Sequence, residues 1–125
     1  GDLGRARASY ERALRVRLEV EGASSALTAE TGWALAEVLE RAGDRAAAFA
    51  LFAQASRGRM AAETGPDVVW LRRFSGHVSR LRAAGEADSA AALEAAVDGW
   101  KRRAANRGPG STAAVPGPGS SAASR

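Results

Sequence analysis

Gly1-Asp2, Gly43-Asp44 and Gly85-Glu86 stand 42 residues apart, and each glycine is followed by the same ladder of side chains. The ladder is Leu3, Ala6, Tyr10, Ala13 in the first copy and Arg45, Ala48, Phe52, Ala55 in the second. In the third it is Ala87, Ala90, Glu94, Val97. Steps of three and four place these residues on one stripe of a helix. Small residues let a neighbouring helix approach, and an aromatic fills the space beside them. The carboxylates of Asp2, Asp44 and Glu86 lie at helix starts, where the dipole favours negative charge. A repeat of this length fixes the architecture, because one unit cannot bury its apolar face alone and stacked neighbours can.

A second helix precedes each later glycine. Ser25 to Arg41 carries Leu27, Leu35, Ala36, Val38 and Leu39, and Pro66 to Ala83 carries Val69, Phe74, Val78 and Leu81. Gly43 and Gly85 end these helices in the left-handed conformation that glycine adopts at least cost. Pro66 suits a first helical turn, and Gly22 with Ser24 separates the first two helices. The periodicity predicts helices over 2–20, 25–41, 44–62, 66–83 and 86–105, and no strand. Gly32 and His77 stand where large apolar residues are expected, so the reading predicts looser packing there. Glu94 replaces the aromatic of the third copy and reads as a polar capping face.

Composition narrows the chemistry. Hydrophobic residues are 46% of the chain, so a packed core is possible, yet aromatics are only 6%. The core therefore needs close, alanine-lined helix contacts. Cysteine is absent, which removes disulfides and thiolate chemistry, and a single histidine, His77, excludes a histidine-rich metal cluster. The serines show no base and orienting acid at a telling spacing. GxxxxGK[ST], GxGxxG and HExxH are absent. His77 reads as a packed histidine bonded to backbone or arginine. The expectation is a protein that is not an enzyme and uses no cofactor or metal.

Net charge is +4, but two of the 18 basic residues, Arg107 and Arg125, lie beyond Ala105; the rest of the chain holds 16 basic and 14 acidic residues. Such a mixed surface argues against nucleic acid as partner, and no apolar run reaches the ~20 residues of a membrane span. Glu11–Arg15 and Glu37–Arg41 have the favourable order for i,i+4 pairs. From Asn106 to Arg125 the chain is rich in Gly, Pro and Ser with Val115 as its one large apolar residue, and this segment, 106–125, reads as a disordered tail.

The stretches GDLGRARASYERAL and TGWALAEVLERAGD resemble the second and first helices of tetratricopeptide repeats, with Leu35-Ala36 as the paired large and small residues. The spacing of 42, with EVEGASSALTAE as the longer connection, resembles the kinesin-light-chain type of that repeat. The resemblance covers Gly1 to about Arg103. It implies an all-α, right-handed superhelical array of antiparallel helix pairs over 1–105: five helices, a half repeat plus two repeats. It also implies a cytoplasmic scaffold that binds a protein or peptide in a concave groove lined by first helices. The groove would comprise Glu30, Trp33, Glu37 and Arg41 from one repeat and Arg72, Ser75, Ser79 and Arg82 from the next, acidic in one half and basic in the other. Trp33 is either its exposed anchor or a core residue filling the space beside Gly32. The alternative function is the sensor arm of a larger bacterial ATPase, protease or transcriptional regulator. The alanine and arginine bias resembles GC-rich coding, as in actinobacteria. Because the chain opens on a second-type helix, the reading expects a piece of a longer protein, with repeats upstream or a homodimer completing its exposed end.

Overall fold

A computed structural model describes residues 1–107. These form five helices and no strand: α1 (Asp2–Glu21), α2 (Ala26–Arg41), α3 (Arg45–Ala61), α4 (Val68–Ala83) and α5 (Ala87–Arg107). The chain divides after Thr64 into two compact units, one holding α1 to α3 and the other, from Gly65, holding α4 and α5. The expected tail lies outside the described residues except for Asn106 and Arg107, which belong to α5.

The 42-residue period is written in the caps. Ser25 and Asp67, one period apart, both occupy N-cap positions: the Ser25 hydroxyl accepts from Leu27 and Thr28 N–H, and the Asp67 carboxylate accepts from Trp70 N–H. The far ends match bond for bond. Gly43, at φ 89°, donates to the Glu40 carbonyl while Asp44 donates to that of Leu39. Gly85, at φ 81°, donates to Arg82 while Glu86 donates to Leu81. Both are the paired bonds of a helix ended by a left-handed glycine. The expected start of α2 at Ser25 is its N-cap, and one expected boundary moves: Pro66 stays outside α4 because Asp67 can bond the free N–H groups of the first turn and proline cannot.

In the first unit, α2 packs against both α1 and α3. The second-copy ladder is buried as expected: Ala48 and Phe52 are fully inaccessible and Ala55 nearly so, with Arg45 outside. The Trp33 ring meets Phe52 edge-on at 4.6 Å. Leu35, Ala36, Val38 and Leu39 complete the buried side of α2, whereas Leu27, expected with them, is exposed in its first turn. The first-copy ladder differs. Leu3 and Tyr10 are 40% and 37% exposed, and α1 has no fully buried residue. It docks through the adjoining Leu14–Leu18 stripe instead. These leucines share a junction with Thr28, Ala29 and Gly32 of α2 and with Leu51 and Ala55 of α3.

Two glycines set helix spacing here. A Cβ on Gly32 would sit 3.4 Å from that of Ala55 and 3.9 Å from methyls of Leu14 and Leu51, at ordinary contact distance, so the glycine leaves room for a methyl group beside a small void lined by the same residues. A Cβ on Gly58 would lie 2.3 Å from the Ala23 carbonyl oxygen, so α3 rests directly on the backbone that joins α1 to α2. Buried polar groups in α3 are bonded locally. The Ser56 hydroxyl donates to the Phe52 carbonyl at 2.7 Å, and Arg59 donates through Nη1 to the Thr64 carbonyl at 3.0 Å.

In the second unit, α4 and α5 form an antiparallel hairpin around three aromatic rings. Phe74 lies 5.5 Å from Trp70 and 5.7 Å from Trp100, and all three are buried. Val78, Leu81 and Ala90 extend this core toward the Gly85 turn. Val69, expected inside, is 51% exposed, because Trp70 takes the inward position. On α5 the inward stripe runs Ala90, Leu93, Val97, Trp100, Ala104, with Ala90 and Trp100 buried and the other three half-buried. Glu94 stands beside that stripe, which passes through Leu93.

Candidate functional site

The α2 residues expected to line a groove divide between surface and core. Glu30, Glu37 and Arg41 are exposed along one face of the helix, while Trp33 is 2% exposed and packed on Phe52. The exposed-anchor alternative for Trp33 is therefore corrected: Phe52 claims the ring, and what remains outside on that face is polar. The four α4 residues, Arg72, Ser75, Ser79 and Arg82, are all exposed, and their steps of three, four and three align them on one side of the helix.

Ser75, Ser79 and Arg82 share an open groove of about 410 Å³ between α4 and α5. Its apolar walls are Leu71, Phe74 and Val78 from α4 and Val97 from α5. The polar lining from α5 is Glu94, Asp98 and Lys101. The hydroxyls of Ser75 and Ser79 sit one turn apart along the α4 wall. At the end nearest the Gly85 turn, Arg82 grips Glu94 with both terminal nitrogens, one of them donating to Oε2 at 3.2 Å and the other to Oε1. That pairing holds the Glu94 carboxyl below its ordinary range and raises the Arg82 guanidinium. At the other end Lys101 Nζ lies 4.0 Å from Asp98 Oδ1.

The sequence marked the α4 wall of this groove and missed the α5 wall. Reading Glu94 as the cap of a terminal helix hid its role as the partner of Arg82. The available signal was the stripe at 90, 93, 97, 100 and 104, which places 94, 97, 98 and 101 beside α4 in any antiparallel hairpin. Two further groups belong to the packing. His77 is 3% exposed, with Nδ1 3.4 Å from Arg80 Nη2, and burial, helped by the Arg80 charge, lowers its pKa to about 4. Arg73 stacks its guanidinium over the Trp70 ring at 4.6 Å. On α1 the ion pairs join Arg7 to Glu11 and Arg17 to Glu21, so Glu11 pairs toward the N-terminus and not with Arg15 as its spacing suggested.

Among the described residues, no group of three or more histidine, aspartate or glutamate side chains is placed to hold a metal ion. Within the same residues no helix is long and apolar enough to cross a membrane. The groove combines an apolar wall with two hydroxyls and two charge pairs. Comparison with family models, with curated proteins and with solved structures yields no match.

Proposed function

We propose that this chain is a helical-repeat scaffold that binds a segment of another protein, and that the α4–α5 groove is where the segment lies. The observation that supports this most is the composition of the groove: about 410 Å³ of open space with Leu71, Val78 and Val97 on its walls and paired charges at both ends. Apolar walls with a few placed polar groups suit a peptide whose side chains enter in register. The matching caps at Ser25 and Asp67 and at Gly43 and Gly85 favour the tetratricopeptide-like reading, with its right-handed superhelix and cytoplasmic scaffold role. The scaffold performs no covalent chemistry in this proposal.

Ser75→Trp is the direct test. Ser75 is exposed, so the substitution fills the groove and leaves the hairpin core untouched. Peptides selected from a random display library against the intact chain should lose affinity for the variant by about tenfold or more, with helicity unchanged by circular dichroism. Equal binding to both proteins would show that the groove is not the site.

A further inference from the structure

The hairpin that frames the groove is electrostatically lopsided. Phe74 lies level with Trp100, and Arg82 lies level with Glu94. Residues 68–73 of α4 therefore run beside residues 101–107 of α5. These two stretches hold Arg72, Arg73, Lys101, Arg102, Arg103 and Arg107, six basic residues without one acidic residue. Toward the Gly85 turn the charges are mixed: Glu86, Asp88 and Glu94 accompany Arg80 and Arg82, and Arg82 is already neutralised by Glu94. Two carboxylates border the basic end: Asp67 is occupied in capping α4, and Asp98 lies 4.0 Å from Lys101. Basic residues late in α5 gain from the helix dipole, but Arg72 and Arg73 near the start of α4 do not, so the dipole leaves their placement unexplained. Val68 and Val69 stand 60% and 51% exposed at the same end.

Resting on the groove reading above, we propose that the partner is an acidic amphipathic segment of a protein. Its apolar side chains lie against Leu71, Val78 and Val97, and its carboxylates reach the end marked by Arg72 and Lys101. Charge complementarity selects the ligand class and also its direction. The Arg82–Glu94 pair closes one end of the groove, and at the other end Arg72 and Lys101 outnumber the carboxylate of Asp98, which lies 4.0 Å from the Lys101 ammonium. Single-stranded nucleic acid fits less well. Trp70, Phe74 and Trp100 are each within 2% of full burial, so the hairpin presents no aromatic face on which bases stack. An anionic membrane meets the same charges but cannot follow the walls of a groove.

The test compares two synthetic peptides with identical apolar positions, one carrying glutamate and one carrying lysine at the others. Vesicles containing phosphatidylserine and an oligothymidine strand serve as the remaining probes, all against the intact chain. The glutamate peptide should bind best, more weakly as salt rises. Arg72→Glu combined with Lys101→Glu should weaken it by about tenfold or more and chiefly slow its association. Arg45→Glu combined with Arg57→Glu, the same charge change at exposed positions of α3, should leave it nearly unaltered. Stronger binding of the vesicles or the oligonucleotide, or equal losses in the two double variants, would overturn the proposal. Preference for the lysine peptide, still abolished by Ser75→Trp, would overturn the acidic ligand and keep the groove. Failure of every peptide to respond to Ser75→Trp would remove the groove itself.

Discussion

Gly32 and Gly58 are both buried in helices, and a sequence treats them alike, as weak points worth about 1 kcal/mol against alanine. Their surroundings give them opposite signs. Gly58 faces the Ala23 carbonyl oxygen, 2.3 Å from where a Cβ would stand, and that atom is backbone in the α1–α2 connection. Gly58→Ala should destabilise the fold by about 1–3 kcal/mol, the usual range for overpacking. Gly32 borders a void of about 10 Å³, and its Cβ would meet side chains at ordinary contact distance. Gly32→Ala should stabilise by about 0.5–1 kcal/mol. Urea titration of both variants checks the pair, and a shared sign would contradict this packing. His77 makes a prediction in pH. Its folded pKa of about 4 lies below the ordinary 6.5, so between those values the unfolded chain binds the proton first. This contribution is complete above about pH 6.5 and is lost as pH falls toward 4, amounting to about 3 kcal/mol. His77→Leu should flatten stability across that window; an unchanged slope would mean another group carries it.

At the scale of the helix, capping governs where elements start and stop. Ser25 both accepts from the first-turn N–H groups of α2 and donates to Glu21 Oε1 at 2.7 Å, tying the end of α1 to the start of α2. Ser25→Ala and Asp67→Ala should each cost about 1 kcal/mol. Thermal melts of the two variants test this, and the absence of any loss at either position would show that the caps do not hold the starts of α2 and α4. Helices and their glycine stops were legible in the sequence because they depend on local chemistry that recurs at a fixed interval. Burial was legible only where both partners lay inside the repeat. The ladder predicted Ala48 and Phe52 correctly, yet the same spacing at Leu3 and Tyr10 leaves those side chains exposed, since α2 sits on the Leu14–Leu18 side of α1. Periodicity specifies a stripe; it does not specify which of two adjoining stripes a neighbour will cover. Trp33 shows the converse: its ring is drawn inward by Phe52, a residue on a different helix.

Across the whole molecule, the α4–α5 groove is the concave surface that the proposed peptide fills. The α4 wall of that surface was visible in the spacing of Ser75, Ser79 and Arg82. The α5 wall required knowing that the helices run antiparallel with Phe74 beside Trp100. Backbone amide spectra of the intact chain, recorded as the glutamate peptide is added, locate the face on which it binds. The shifts should concentrate at Leu71, Ser75, Ser79, Val97 and Lys101, with little change at Glu30 and Glu37 on α2. Shifts gathered on the α2 face instead, or spread without focus over both units, would contradict it.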